Sequence, residues 1–395
     1  MTAGLSDTPP GRPIGLAFVG CGFMADYYRT CLPIHAGRLF VAGAFDRDAG
    51  RMASYRACWG DRTYGSLDEA LADPAVEIVV NLTDPHSHAA VSHAAIAAGR
   101  HVYSEKPLGM TYAQARGVRD AARRQGVLLS GAPCVLLGEA AQTLWKAVRE
   151  ERAGRVRLVY AEIDDGMIHR LDRSSWTSPS GKPWPAAGEF EVGCTYEHAG
   201  YVVAILAGLF GPVRRITAFS ALLVPDKGVG AGGLAPDFSV GCLEFDGGIV
   251  ARLTNSVVAP YDHRLRIVGD EGVLELGEVW DFAAPVRLRR RAGSRLARWS
   301  ERRLGYAPRT RLRPVRASHN GWRRRYPDMD WLCGVRDMAE ALREGRRPRL
   351  DDDFAVHITE VTELLQHPER RPRPSAVESS FAAPTPMPWA METGR

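Results

Sequence analysis

The stretch IGLAFVGCGFMA, residues Ile14 to Ala25, decides the fold. Ile14 to Val19 is a short apolar run, the pattern of a first buried parallel strand. It ends in Gly20-Cys21-Gly22-Phe23-Met24-Ala25, a glycine turn that opens a helix. The glycines allow the tight turn and a close approach to the backbone, and the helix N-terminus faces a pyrophosphate. Alone, such a spacing is weak evidence. Asp46 strengthens it, because it ends the next apolar run, Phe40 to Phe45, and stands 21 residues past Ala25. A carboxylate there accepts hydrogen bonds from the adenosine ribose hydroxyls and repels a 2′-phosphate, which favours NAD. Arg47 and Arg51 can accommodate that phosphate, which keeps NADP in play. The competing reading makes Asp46 a loop cap.

Working outward, Val76 to Leu82 and His101 to Ser104 are two more strand-like runs, with helical stretches at Ser66 to Leu71 and Ala89 to Ala98. Strands alternating with helices imply a doubly wound parallel sheet, and the pattern lasts to about Ala132. The character then changes. Glu139 to Arg152 reads as a helix, Val156 to Ile163 as a strand, and Trp176 to Glu189 as a loop. A helix over Cys194 to Leu209 stops at Gly211-Pro212. Alternating strands follow at Arg215 to Val224, Phe238 to Phe245, Ile249 to Val257 and His263 to Leu276. Asp246-Gly247-Gly248 and the Gly269 to Gly272 segment read as hairpin turns. Helices near Asp330 to Glu344 and Phe354 to Gln366 finish the fold. The expected fold class is therefore α/β: a Rossmann domain over residues 1–134, then an α+β domain with an open, largely antiparallel sheet over 135–375. A C-terminal tail, 376–395, follows; the Pro-rich segment from Arg371 either wraps a surface or is disordered.

Length and composition set bounds on function. A chain of 395 residues supports two cores, and 45% apolar with 25% charged residues is an ordinary soluble composition. No apolar run approaches a membrane span, and Met1 to Pro13 lacks the basic start and apolar centre of a signal peptide. The seven cysteines form no C-x-x-C pair, so neither a metal site nor a disulfide framework is expected, and the protein reads as cytoplasmic. The net charge of +5 hides an asymmetry: fifteen arginines and one acid, Glu301, lie between Arg287 and Arg325. Trp299, Tyr306 and Trp322 are interleaved there, but no nucleic-acid motif is present. The stretch reads as a solvated insertion or a subunit contact, with no nucleic-acid or membrane partner expected.

Lysine is scarce. Lys106 is one of four, beside Lys146, Lys182 and Lys227, in a chain with 47 arginines. A buried lysine exchanges a proton near neutral pH, which a guanidinium does not. The plain alternative for Glu105-Lys106-Pro107 is a surface lysine before a strand-ending proline.

These residues carry a resemblance. The glycine turn, Thr83-Asp84-Pro85-His86-Ser87-His88, the Ala97 to Val102 segment and Glu105-Lys106-Pro107 resemble the Gfo/Idh/MocA oxidoreductases. The likeness covers most of the chain, is specific over residues 14–110, and is looser in the second half. It implies hydride transfer between NAD, or NADP, and a hydroxyl or keto carbon of a sugar, cyclitol or nucleotide sugar. It also implies an open sheet that often mediates homodimers or homotetramers. Lys106 falls at the family's active-site lysine and Pro107 at a proline shaping the nicotinamide pocket. The implied cofactor set is Gly20, Gly22, Phe23, Met24, Ala25, Asp46, Arg47, Thr83, His88, Glu105, Lys106 and Pro107. His86 and His88 read equally well as helix caps.

The second half departs from the family. Where many members carry Asp-x-Gly-x-His-x-x-Asp, this chain has Glu197, Ala199, Tyr201 and Ala204. Tyr201 can relay the proton with Lys106, and His198, three positions earlier on the same helix face, is the alternative. Core packing of Tyr201 is the competing reading. Asp164, Asp165, His169 and Glu197 are candidates to bind substrate hydroxyls, and Trp176 and Trp184 to stack on a sugar. Two other functions fit the pattern: an NAD-dependent glycosidase using transient oxidation, and a non-catalytic dinucleotide-binding partner.

Overall fold

The computed structural model describes residues 11–229, 233–291, 293–304, 309–316 and 329–391. The reading of the extreme N-terminus, Tyr306, Trp322 and the last residues of the tail lie outside these. The α/β fold expected from the sequence forms, as two compact units.

The first unit comprises the chain up to Ala132 together with Arg173–Pro185 and Asp330–Ala355. Its elements are β1 (Ile14–Val19), α1 (Phe23–Cys31), β2 (Leu39–Phe45), α2 (Ala49–Trp59), α3 (Leu67–Ala72), β3 (Ile78–Asn81), α4 (His88–Ala97), β4 (His101–Ser104), α5 (Tyr112–Gln125) and β5 (Leu129–Gly131). The strands make one parallel sheet in the order β2-β1-β3-β4-β5. All six residues of β1 are buried, because helices cover both faces of such a sheet and its centre needs apolar side chains throughout. Leu332, Val335, Met338 and Ala339 pack with Phe18, Tyr28 and Tyr103, so a segment distant in sequence completes this core. Each such buried Leu or Met contributes roughly 1.5–3 kcal/mol.

The second unit contains α6 (Glu139–Arg149), β6 (Val156–Asp164), α7 (Ala186–Val192), α8 (Gly200–Phe210), β7 (Val213–Ala221), β8 (Phe238–Phe245), β9 (Val250–Ser256), β10 (Leu265–Gly269), β11 (Gly272–Leu276), β12 (Val286–Arg290), α9 (Arg295–Leu304) and β13 (Thr310–Arg311). Late in the chain come α10 (Cys333–Glu344) in the first unit, α11 (Asp352–Gln366) shared by both, and β14 (Ser375–Ala376) and α12 (Pro388–Met391) in the second. The nine-stranded sheet runs β13-β12-β11-β10-β6-β9-β8-β7-β14. Its neighbours are antiparallel except β6 and β9, which are parallel. Both hairpin turns read from glycine lie where expected, between β8 and β9 and between β10 and β11. The tail from Arg371 wraps the sheet, adding β14 beside β7.

One element differs from its expectation. The helix read as continuous over Cys194 to Leu209 begins as a π-turn, Thr195–Ala199, and becomes α-helical at Gly200. The π-turn holds one residue more per turn, a local device that recurs at functional sites. Gly200 to Gly208 are all buried, which suits a helix that is apolar all round. Among the described residues no helix is long and apolar enough to cross a membrane.

Candidate active site

Two glycines of the first turn do different work. Gly20 has φ +98°, and a Cβ there would stand 2.5 Å from the Leu82 carbonyl oxygen, so the chain's own packing requires glycine. A Cβ on Gly22 would meet nothing within 4 Å, so this glycine keeps open space beside the start of α1. Asp48, Ser66 and Thr111 cap α2, α3 and α5, whereas no side chain caps α1. An uncapped helix N-terminus beside a bare glycine fits an anionic pyrophosphate. Phe23 and Met24 are half-buried in that first helical turn, and Ala25 is fully buried.

Asp46 is buried at the end of β2. Its Oδ2 accepts from the Cys21 amide at 2.8 Å and its Oδ1 from the Asp48 amide at 2.8 Å. The carboxylate therefore braces the glycine turn, and each oxygen keeps a second lone pair for a ribose hydroxyl. Arg47 is exposed, 3.8 Å from Asp84.

Glu105, Lys106 and Pro107 are held from behind. The Tyr28 hydroxyl donates to Glu105 Oε1 at 2.7 Å, and Glu105 Oε2 accepts the Lys106 amide at 3.0 Å. Glu105 is buried, Lys106 half-buried, and the Lys106–Pro107 peptide is cis. His88, fully buried, sets Nδ1 2.7 Å from the Pro107 carbonyl and Nε2 3.0 Å from the Thr83 carbonyl. The imidazole is a strut between the loop after β3 and the loop after β4. Thr83 is fixed in turn by its hydroxyl, which donates to Asn81 Oδ1 at 2.7 Å. His86 is exposed.

In the second unit, acids and imidazoles alternate in a chain. His198 Nε2 lies 2.9 Å from Glu189 Oε1 and 3.1 Å from Asp165 Oδ2. Asp165 Oδ1 is 3.0 Å from His263 Nε2, whose other nitrogen lies 3.1 Å from Glu278 Oε1. The Tyr261 hydroxyl donates to Glu278 Oε2 at 2.5 Å. Trp280 gathers the rings: its centroid is 4.3 Å from His263, 5.6 Å from His198 and 5.3 Å from Tyr201. Burial opposes charge on His263, but the carboxylates of Asp165 and Glu278 outweigh it and push the imidazole up to about 9. Burial likewise works against Glu278, yet the bonds from His263 and Tyr261 hold its carboxyl below the usual range. Nε2 of His198 faces two carboxylate oxygens, which favour a proton on that nitrogen, and Nδ1 is buried.

His198 and Tyr201 share Trp280, and Glu197 is half-buried on the same π-turn. Asp164 points elsewhere, accepting from Ser256 Oγ at 2.7 Å, and burial raises its pKa. His169 Nδ1 lies 3.4 Å from the Val257 carbonyl. Trp176 belongs to the first unit, packed edge-to-face on Trp184 with centroids 5.3 Å apart. Glu189, His263, Glu278 and Trp280 carry no sequence signal that singles them out. Asp351, Asp352 and Asp353 cluster in the first unit, where Arg123 and Arg347 pair with them.

The chain resembles known proteins over most of its length. The model described as "Oxidoreductase family, NAD-binding Rossmann fold" matches residues 14–132, and that of the "GFO/IDH/MocA C-terminal domain" matches 141–275. The trans-1,2-dihydrobenzene-1,2-diol dehydrogenase of Mus musculus is 24% identical over 272 residues, 68% of this chain and 75% of that protein. An uncharacterized oxidoreductase of Schizosaccharomyces pombe is 29% identical over 212 residues, 52% of this chain and 54% of its own length. An Agrobacterium radiobacter oxidoreductase, solved with NAD+, L-tartaric acid and magnesium, superposes with a TM-score of 0.72 at 16% identity, covering 92% of this chain and 98% of that one. A Bordetella pertussis dehydrogenase, solved with NADH and UDP-GlcNAcA, gives 0.67 at 19% identity, covering 91% and 96%. At such identities the structural likeness shows the fold.

Proposed function

Since the chain belongs to the Gfo/Idh/MocA oxidoreductases, we propose that it is an NAD(P)-dependent dehydrogenase or ketoreductase acting on a secondary hydroxyl or keto carbon of a cyclic, sugar-like polyol. The observation that carries the reading is His198, set between Glu189 and Asp165 at the end of a chain of acids and imidazoles that can hold and pass a proton. The nicotinamide, when bound, accepts or returns the hydride. The chain's own groups handle the oxygen and its proton. Lys106 supplies a positive charge for the reacting oxygen, while the strut of His88 and the Glu105 bonds fix its backbone. His198 takes the hydroxyl proton as an alcohol is oxidised, and returns it when a ketone is reduced. Two carboxylates around one imidazole stabilise the cation formed, as in other acid–His pairs. Tyr201, edge-on to Trp280, is the neighbouring hydroxyl for substrate or relay.

Sugar-like substrates suit a site that mixes carboxylates with an indole ring, since both recognise a polyol. A dihydrodiol and a nucleotide sugar, the compounds named for two of the similar proteins, both carry ring hydroxyls. Exposed Leu158 and Phe219 on the nine-stranded sheet support a homodimer or homotetramer built on that sheet.

The deciding test is a panel of cyclic polyols and keto-sugars, followed by NADH or NADPH absorbance. Turnover that collapses in His198→Ala while dinucleotide affinity persists supports the assignment. Full turnover in that variant overturns it.

A further inference from the structure

The loop between β6 and α7 returns to the dinucleotide-binding unit, and it brings a buried lysine with it. Residues Trp176 to Trp184 form a small hairpin: the Trp184 amide donates to the Trp176 carbonyl at 2.8 Å, and Thr177 bridges Pro183. Its tip is closed by Ser178 N donating to Lys182 O and Gly181 N to Ser178 O, both at 2.8 Å. The tip docks on Asp26, in the first turn of α1. The Asp26 carboxylate, wholly buried, accepts from Ser178 Oγ, from Ser180 N at 2.9 Å, from Ser180 Oγ at 2.6 Å and from Trp59 Nε1 at 2.6 Å. Four neutral donors hold this acid, and no cation does.

Lys182 is the cation nearby, only 8% exposed. Its Nζ donates to the Arg51 carbonyl at 3.1 Å and to Ser180 Oγ at 3.0 Å. Among the described residues no carboxylate lies within ion-pair distance of it. Two neutral acceptors use two of its three protons, and one of them, Ser180 Oγ, bridges it to the Asp26 carboxylate, which leaves one N–H for a further oxygen. An ammonium held by two neutral acceptors, with its carboxylate a hydroxyl away, keeps a proton and its attraction for an anion that arrives later. Its place identifies the anion. Arg51 is in the first turn of α2, directly after Asp46 and Asp48. The Cys21 thiol, in the glycine turn, is pushed up to about 12 by burial and by Asp46, and Lys182 acts on it as an opposing charge. The ammonium therefore sits within electrostatic reach of both the glycine turn and the start of α2, where a dinucleotide presents its phosphates.

We propose that Lys182 is a ligand for a phosphate of the bound dinucleotide, carried to the cofactor site by the 176–184 hairpin acting as a clasp. The inference rests on the dinucleotide-binding reading of this unit. A compact ammonium with two protons already placed suits a single phosphate oxygen; the flat fork of an arginine does not fit those two acceptors. That accounts for a lysine here in a chain that otherwise uses arginine.

The test takes the full-length protein stripped of nucleotide and measures Kd for NAD+ and for NADP+ by calorimetry, with the melting temperature of the apoprotein alongside. Lys182→Met should weaken dinucleotide binding by about 10-fold or more, as expected for losing a charge-assisted bond. The apoprotein's melting temperature should stay level, since methionine keeps the buried apolar stem. Lys182→Arg should retain more affinity than the Met variant. Equal loss for both dinucleotides supports the proposal and assigns the pyrophosphate; loss confined to NADP+ supports it and assigns the 2′-phosphate. Unchanged affinity in Lys182→Met overturns it, and so does a fall in apoprotein melting temperature that accompanies the lost affinity. Wild-type protein that binds neither dinucleotide sinks the underlying reading as well, independently of any variant.

Discussion

His198 and His263 share one carboxylate: Asp165 places Oδ2 3.1 Å from His198 Nε2 and Oδ1 3.0 Å from His263 Nε2. The charge on one imidazole therefore bears on the other through a single group. Glu189 adds a second acid on the His198 side, and Glu278 on the His263 side.

This coupling predicts a pH effect. His263→Gln removes a cation that partly neutralises Asp165, which strengthens the hold of Asp165 on a protonated His198. The acid limb of kcat/KM for alcohol oxidation should move to higher pH. Dinucleotide Kd should not change. A profile superimposable on wild type would show that His263 does no more than fill space.

The same residue governs stability in alkali. The folded-state pKa of His263 is raised from an ordinary 6.5 to about 9, so its contribution is complete below about pH 6.5 and is lost as pH rises through about 9. That contribution is on the order of 3 kcal/mol, set against Asp165, Glu278 and the Tyr261 hydroxyl that surround the pair. Urea midpoints measured from pH 6.5 to 9.5 should fall in wild type and run flatter in His263→Gln.

Lys106→Ala should cut turnover by about 10²- to 10⁴-fold, the range for a missing acid–base or charge-stabilising group. Cofactor affinity, titrated by protein fluorescence, should hold within a few-fold. Wild-type turnover in this variant would remove Lys106 from the chemistry.

The two glycines of the first turn should separate under substitution. Gly20→Ala forces a left-handed backbone on alanine and a Cβ 2.5 Å from Leu82 O, so the melting temperature should drop by several degrees. Gly22, at φ −80° and ψ −161° with open space around it, should accept alanine with little change in melting temperature. Its dinucleotide affinity should nevertheless fall at least about 10-fold, because the methyl occupies the approach to α1. Equal melting losses in both variants would contradict this division.

Much of the first unit was legible because its signals are local: an apolar run, a glycine turn and an acid at the next strand's end. His198 and Tyr201 were legible as a pair because three residues of helix bring them to one face, and they do meet on Trp280. The rest of the cluster depends on strand register. Antiparallel pairing of β6 with β10 sets Asp164 opposite Asp262, which brings His263 beside Asp165 across 98 residues of sequence. No periodicity in either strand encodes that register. Glu189 arrives on the short helix α7, within a segment read as loop, and the π-turn that aims His198 leaves no mark in composition. The hairpin at Trp176 was legible as a turn-rich segment, but not the unit on which it docks.

The dinucleotide-binding core is also a statement about timing. Its sheet is finished at Gly131, yet Leu332, Val335, Met338 and Ala339 fill its interior, and the 176–184 hairpin closes on α1 between the two. A ribosome adding about 5–20 residues per second leaves that finished sheet waiting roughly 10 to 40 s for the last apolar side chains of its core. During synthesis the nascent sheet must therefore be shielded, by chaperones or by its own provisional collapse. A gene cut after the fifth strand would yield a sheet without its plug.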